Sequence, residues 1–165
     1  MKQLLFLASL WLATFTAAAQ AKKAGEIVSI QQIDIRGEAK PGSNIVAVVT
    51  VAVEKGVYLN SNRPPSPQLL RTDAQVFSVP AVKTLPVVFS SGSPKVIPGF
   101  KDPVPVYEES FTFTVPLMIH PNAVLPATLA GTMSYQATRG TVRQPAGQLR
   151  FNLVVPKATN APPAK

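Results

Sequence analysis

Few side chains in this sequence are equipped for covalent or metal chemistry. There is no cysteine and a single histidine, His120. Disulfide exchange needs a thiolate to attack sulfur, so this chain cannot carry it out. A metal site would have to gather carboxylates around one imidazole, yet His120 is followed by Pro121 and Asn122, as at a strand end turning over. It reads as a surface-loop residue. Ser110, His120 and Asp102 form a Ser-His-Asp set only on paper, because no Gly-x-Ser-x-Gly elbow supports a strained nucleophile. Glu108 and Glu109 are neighbours, so on a strand they point to opposite faces and cannot act as a facing carboxylate pair. Ser91-Gly92-Ser93-Pro94-Lys95 lacks the second glycine and the following helix of a phosphate-cradling loop. No catalytic residue, cofactor or metal is expected, and an enzyme using loop carboxylates or His120 stays only as an alternative. What remains is recognition chemistry. In the segment Met133–Pro145, Arg139 and Arg143 flank Gly140-Thr141-Val142. Two guanidinium groups there either receive a carboxylate in bidentate fashion or stay solvated.

The elements that would position such a segment are strands. Seventeen prolines and nine glycines are spread along the chain, with Val, Ile, Thr and Phe filling the intervals, which disfavours long helices and favours strands. Strands are predicted over 27–35, 45–53, 57–60, 74–79, 85–89, 111–119, 129–136 and 149–155, a pattern that points to an all-β, two-sheet sandwich. Phe111, Phe113, Val115, Leu117 and Ile119 alternate with Thr112, Thr114 and Met118, the period of two of a half-buried strand. Pro116 cannot donate a ladder hydrogen bond, so that strand is expected at an edge or with a bulge. Residues 45–53 are apolar on both faces and are expected centrally, covered on both sides. Breaks are predicted at 37–43, 62–67, 90–105, 120–126 and 139–147. The stretch 90–105 is the longest, and unstructured loops of that length tend to be functional or disordered.

Residues 1–21 read as a secretory signal: Lys2, an apolar run from Leu4 to Ala13, and small residues at Ala17–Ala19 or Ala19–Ala21. The apolar run is shorter than the roughly 20 residues that cross a bilayer. The expected product is periplasmic or secreted, without a transmembrane segment, formed by a domain over 22–156 and a flexible tail over 157–165. Sixteen basic against eight acidic residues give +8; loss of Lys2 with the signal leaves +7. That charge permits attraction to an acidic partner. The basic residues are scattered and no nucleic-acid motif accompanies them, so nucleic-acid binding is not expected.

Tyr135-Gln136-Ala137-Thr138, a short turn, then Arg143-Gln144-Pro145 resembles the active-site hairpin of the N-terminal domain of the bacterial thiol:disulfide interchange protein DsbD. There the pattern is Tyr-Gln-Ala/Gly-Cys, a turn, and Cys-x-Pro-Pro. Lys55-Gly56-Val57-Tyr58-Leu59, Asn60-Ser61-Asn62-Arg63-Pro64, and Pro98-Gly99-Phe100-Lys101 leading to Val106-Tyr107-Glu108 are similar to further segments of that family, in the same order. Together these cover residues 55–155.

The resemblance implies an immunoglobulin-like fold with Phe100 at the position of the cap-loop aromatic. It also implies that Thr138 and Arg143 stand where the redox cysteines would be. Thr138 has a hydroxyl that does not exchange with sulfur, Arg143 brings a permanent charge, and Ala146 replaces the second proline. The family's reaction does not transfer. Phe100 then reads as a mobile lid over a partner-binding surface or as an aromatic pinning a long loop, and with no cysteines to protect the pin is favoured.

The expected function is that of an exported, redox-inactive interaction module. Its partner-binding surface would comprise Phe100, Tyr107, Tyr135, Thr138, Arg139 and Arg143, and its partner would be an envelope protein, possible classes being thioredoxin-like and DsbD-type proteins. The alternatives are an accessory factor in thiol-disulfide or cytochrome maturation and a structural envelope component.

Overall fold

The computed structural model describes residues 26–157; the predicted signal, and the tail beyond Lys157, lie outside the described residues. The alternating run of aromatic and branched residues builds the centre of the molecule. Strand β9 (Ser110–Ile119) buries Phe111, Phe113, Val115, Leu117 and Ile119 and turns Met118 outward, as its period of two requires. It pairs along its length with β2 (Asn44–Val53), which pairs in turn with β1 (Val28–Arg36). On the far side of β9 lie two short strands, β5 (Val82–Thr84) and β6 (Val88–Phe89). These five form one sheet.

The second sheet runs in the order β11 (Val142–Val155), β10 (Ala127–Arg139), β3 (Val57–Asn60), β8 (Val104–Glu108) and β7 (Ser93–Lys95), with β4 (Asp73–Val76) also paired to β10. The two inner faces meet in one apolar cluster that includes Val49, Val51, Leu59, Tyr107, Phe113, Leu129, Met133 and Leu153. Described residues thus form an all-β, two-sheet sandwich. The chain passes from one sheet to the other between β8 and β9 at Glu109, a non-glycine residue with φ of 56° whose carbonyl accepts from the Val53 amide. Immediately either side of this kink, the Tyr107 and Phe111 rings stack with centroids 4.1 Å apart, so the crossover is bracketed by an aromatic contact between the sheets.

Four sequence expectations are corrected. The strand carrying Pro116 is interior, and its register with β2 is unbroken. The Pro116 carbonyl accepts from Leu85, between β5 and β6. A strand residue's N–H and C=O lie on the same side, so the missing donor falls at the interruption of that neighbour and costs no ladder bond. That interruption also corrects the single strand predicted over 85–89, because Pro86 separates two short ones. The stretch 90–105 is not unstructured: β7 lies within it and β8 begins before its end, the two pairing through Pro94 and Pro105 on the outer part of the sheet. Finally, the break predicted at 139–147 shrinks to the two-residue connection Gly140-Thr141, with Gly140 at φ of 59°, which suits a tight hairpin. Pairing resumes at once, and Gln144 and Pro145 form a bulge opposite Ala137 on the edge strand, a position that tolerates proline.

Residues 45–53 are interior, as predicted. Their inward residues are buried, and of the outward ones Val48 is buried while Val46, Thr50 and Ala52 are half-buried.

Candidate interaction site

The outer face of the second sheet carries a separate, smaller apolar cluster. Tyr58 of β3 and Val104 and Val106 of β8 provide its floor, Leu69 closes one side, and Ile97 and Phe100 pack against it from the β7–β8 connection. One hydrogen bond ties a covering segment to the sheet and another shapes the second segment. Leu69 lies in a chain excursion tied back by Thr72, fully buried, whose hydroxyl donates to the Asn60 carbonyl at 2.6 Å. The turn before Phe100 is closed by its amide, which donates to the Ile97 carbonyl.

Between this cluster and the β10–β11 hairpin lies a cavity of about 180 Å³. Tyr58, Leu69, Ile97 and Phe100 give it an apolar wall; Asn60, Thr138, Thr141 and Arg143 give it a polar one. Thr138 sits opposite Arg143 across the hairpin and opposite Tyr58 on the other side, in register with both. Local sequence explains why Thr138 faces outward. Ala137 belongs to the main core, so the next residue along β10 turns to the other face.

The six residues singled out from sequence are therefore not one surface. Phe100, Thr138 and Arg143 line the same cavity. Tyr107 and Tyr135 belong to the inward-facing cluster. Tyr107 is 2% exposed; its hydroxyl donates to Asn62 Oδ1 at 2.9 Å and also lies 3.0 Å from the Ser90 carbonyl. Burial raises its pKa above the usual tyrosine value, against the smaller lowering effects of an Asn62 hydrogen bond and the Arg63 charge. The expectation of a partner-contacting Tyr107 is corrected: it is an internal girder, because its place in β8 alternates with Val106 and Glu108. Tyr135 lies half-buried over Gly147, its pKa likewise raised by burial and by nearby Glu26. Arg139 makes a bidentate ion pair with Glu54, at 2.7 and 3.1 Å, which raises its pKa. Arg143 has no ion pair among the described residues and is exposed at the cavity.

Sequence reading missed Tyr58, Asn60, Leu69 and Ile97 as lining residues. A signal existed for the first two, since both lie in segments that carry the family resemblance. None existed for Leu69, whose position depends on how the 61–72 excursion folds back.

The catalytic constellations considered from sequence do not assemble. Ser110 and His120 stand at opposite ends of β9, about 33 Å apart at ~3.3 Å per residue. Glu108 is engaged with Lys95 at 2.6 Å. His120 is exposed, its Nδ1 accepting from the Asn122 amide. Among the described residues no group of three His, Asp or Glu converges, and no helix is long and apolar enough to cross a membrane.

No protein-family model matches the sequence, and no curated protein matches it significantly. Solved structures do resemble it. The N-terminal periplasmic domain of ScsB from Proteus mirabilis superposes with a TM-score of 0.54 at 12% identity, over 86% of this chain and 52% of that one. What the two share is the fold. The chain spans about half the length of that domain. The Neisseria meningitidis DsbD N-terminal domain in its reduced form gives a TM-score of 0.44 at 12% identity, covering 77% of this chain and 88% of that one. The GAE domain of yeast GGA1 gives 0.45 at 7% identity, covering 81% and 96%.

Proposed function

We propose that this chain is an exported, redox-inactive protein-interaction module of the cell envelope, binding through the cavity between the β10–β11 hairpin and the segment carrying Phe100. One observation carries the reading. The three positions that the DsbD resemblance assigns to the cap and to the two redox residues, Phe100, Thr138 and Arg143, all border one cavity, although Phe100 lies 38 residues before Thr138 and outside the hairpin that carries the other two. Without cysteine the site has no thiol to exchange, so what it retains is shape, an apolar wall and a cation. Export rests on the signal-like residues 1–21, and periplasmic placement is supported by the fold shared with a periplasmic domain.

The test is capture of partners from an envelope extract on immobilised protein, compared with Phe100→Ala and Arg143→Glu. Loss of the same partner from both variants, with circular dichroism unchanged, is the expected result. A partner held equally by both variants removes the cavity from the interface.

A second reading keeps the module in thiol-disulfide or cytochrome maturation, holding a client or competing with an active domain. It is supported by the sequence resemblance over residues 55–155. A captured partner that is thioredoxin-like or DsbD-type favours it, and capture of proteins without redox cysteines only would dismiss it.

A further inference from the structure

If the chain is an interaction module, the reading on which this inference rests, the cavity's composition narrows the partner's chemistry. At about 180 Å³ the cavity is smaller than the ~300–1,000 Å³ of typical small-molecule sites. It is the size of one large side chain, the scale at which a single anchor residue inserts into a protein surface. Its polar wall is incomplete. Thr138 is 7% exposed and its hydroxyl has no hydrogen-bond partner among the described residues. Yet no fully enclosed side-chain oxygen or nitrogen among them lacks a partner. The hydroxyl therefore faces the cavity that Thr138 lines. The same holds for Asn60, 3% exposed, whose amide nitrogen donates to the Leu70 carbonyl at 2.9 Å while its Oδ1 is unpartnered. Beside them stands Arg143 with no internal counter-ion.

An unpaired acceptor, an unpaired hydroxyl and a free guanidinium, set against four apolar side chains, define the missing ligand. We infer that the cavity takes an acidic peptide segment of a partner protein. A bulky apolar side chain inserts between Tyr58 and Phe100, an adjacent Asp or Glu carboxylate meets Arg143 and the Thr138 hydroxyl, and a peptide N–H donates to Asn60 Oδ1. Charge complementarity favours this occupant, since the chain carries +8 overall and a cation at the cavity mouth. Gly140 also lines the cavity, and a Cβ placed there would meet nothing within 4 Å, so no side chain or backbone crowds the hairpin turn at its rim.

The test uses fluorescence anisotropy with end-blocked, fluorescein-labelled peptides bearing Asp-Phe or Phe-Asp in a Gly/Ser background. At least one order is expected to bind the wild-type protein. Its affinity should fall about tenfold or more when Asp becomes Asn or Phe becomes Ala, and by a similar factor with Arg143→Gln. Thr138→Val should weaken it several-fold, Arg150→Gln, well along the same strand, should leave it unchanged, and added salt should weaken it. Equal binding of the Asp and Asn peptides, or indifference to Arg143→Gln, overturns the inference. If neither peptide binds while envelope-partner capture still requires Phe100 and Arg143, the interaction reading stands and the acidic-apolar class is wrong. If capture is also indifferent to both residues, the site itself is lost.

Discussion

In the β10–β11 hairpin the ring of Tyr135 covers Gly147, its partner across the two strands, so closely that a Cβ at position 147 would lie 2.6 Å from the tyrosine Cζ. The same arrangement recurs further down the hairpin, where Phe151 covers Gly131 and a Cβ there would lie 2.3 Å from the phenylalanine Cζ. Aromatic rings shield glycine backbone at both places, and the two differ in how far the ring can move.

Gly131→Ala should therefore cost more than Gly147→Ala. Phe151 is 3% exposed and packs against Phe113 in the core, so the methyl must displace a confined ring, at a cost of about 1–3 kcal/mol. Tyr135 is only half-buried and can swing outward. Its shift is offset by the ~0.4–1 kcal/mol that Gly→Ala contributes by restricting the unfolded chain. Urea midpoints of the two variants measure this; equal losses would mean that Tyr135 is as tightly held as Phe151.

These contacts bear on how much was legible in the sequence. The alternation of Phe111 to Ile119 and the doubly apolar run 45–53 specified core strands, because period and composition are local properties. The interior placement of Pro116 was not legible, since it depends on Pro86 interrupting a neighbouring strand some thirty residues away in the chain. The grouping of Phe100, Thr138 and Arg143 was accessible only through the family resemblance. The separation of Tyr107 and Tyr135 from them follows from strand alternation, which the motif itself does not reveal. Leu69 could not be placed at all, because nothing local dictates the fold-back of its excursion.

Replacing Tyr107 by Phe should remove the hydroxyl's bonds to Asn62 and to the Ser90 carbonyl while keeping the stack on Phe111. Leaving those partners unsatisfied in a part-buried place costs about 1–3 kcal/mol, readable as a lower urea midpoint at neutral pH. An unchanged midpoint would mean that water replaces the hydroxyl without loss.

The same residue shapes the alkaline limb of stability. Tyr107 and Tyr135 both have pKa values raised above 10.0 in the folded chain, so the folded state keeps protons that the unfolded chain releases. Their contribution is complete below the unfolded value and is lost as pH rises through the folded one. Unfolding free energy should therefore decline as the pH rises past the ordinary tyrosine value of about 10, and the decline should be shallower in Tyr107→Phe. A parallel slope in wild type and variant would assign the alkaline loss to other groups.

Thr72 offers the sharpest test of how the cavity wall is held. It is fully buried, its hydroxyl donates to the Asn60 carbonyl at 2.6 Å, and its amide donates to the Ser61 carbonyl, so it clamps the excursion that carries Leu69 onto the strand that carries Asn60. Thr72→Val keeps the shape and removes the donor, leaving a buried carbonyl one bond short at about 1–3 kcal/mol. The damage should be local, because the small cluster around Leu69 is separate from the main core, and segments with few core contacts open at lower free energy than the whole domain. Hydrogen exchange should accelerate at the Leu69 and Thr72 amides, both hydrogen-bonded in the native chain, while amides of β2 and β9 accelerate far less. If all of these amides accelerated together, the excursion would be part of the global folding unit, and the cavity could not be loosened without unfolding the sandwich.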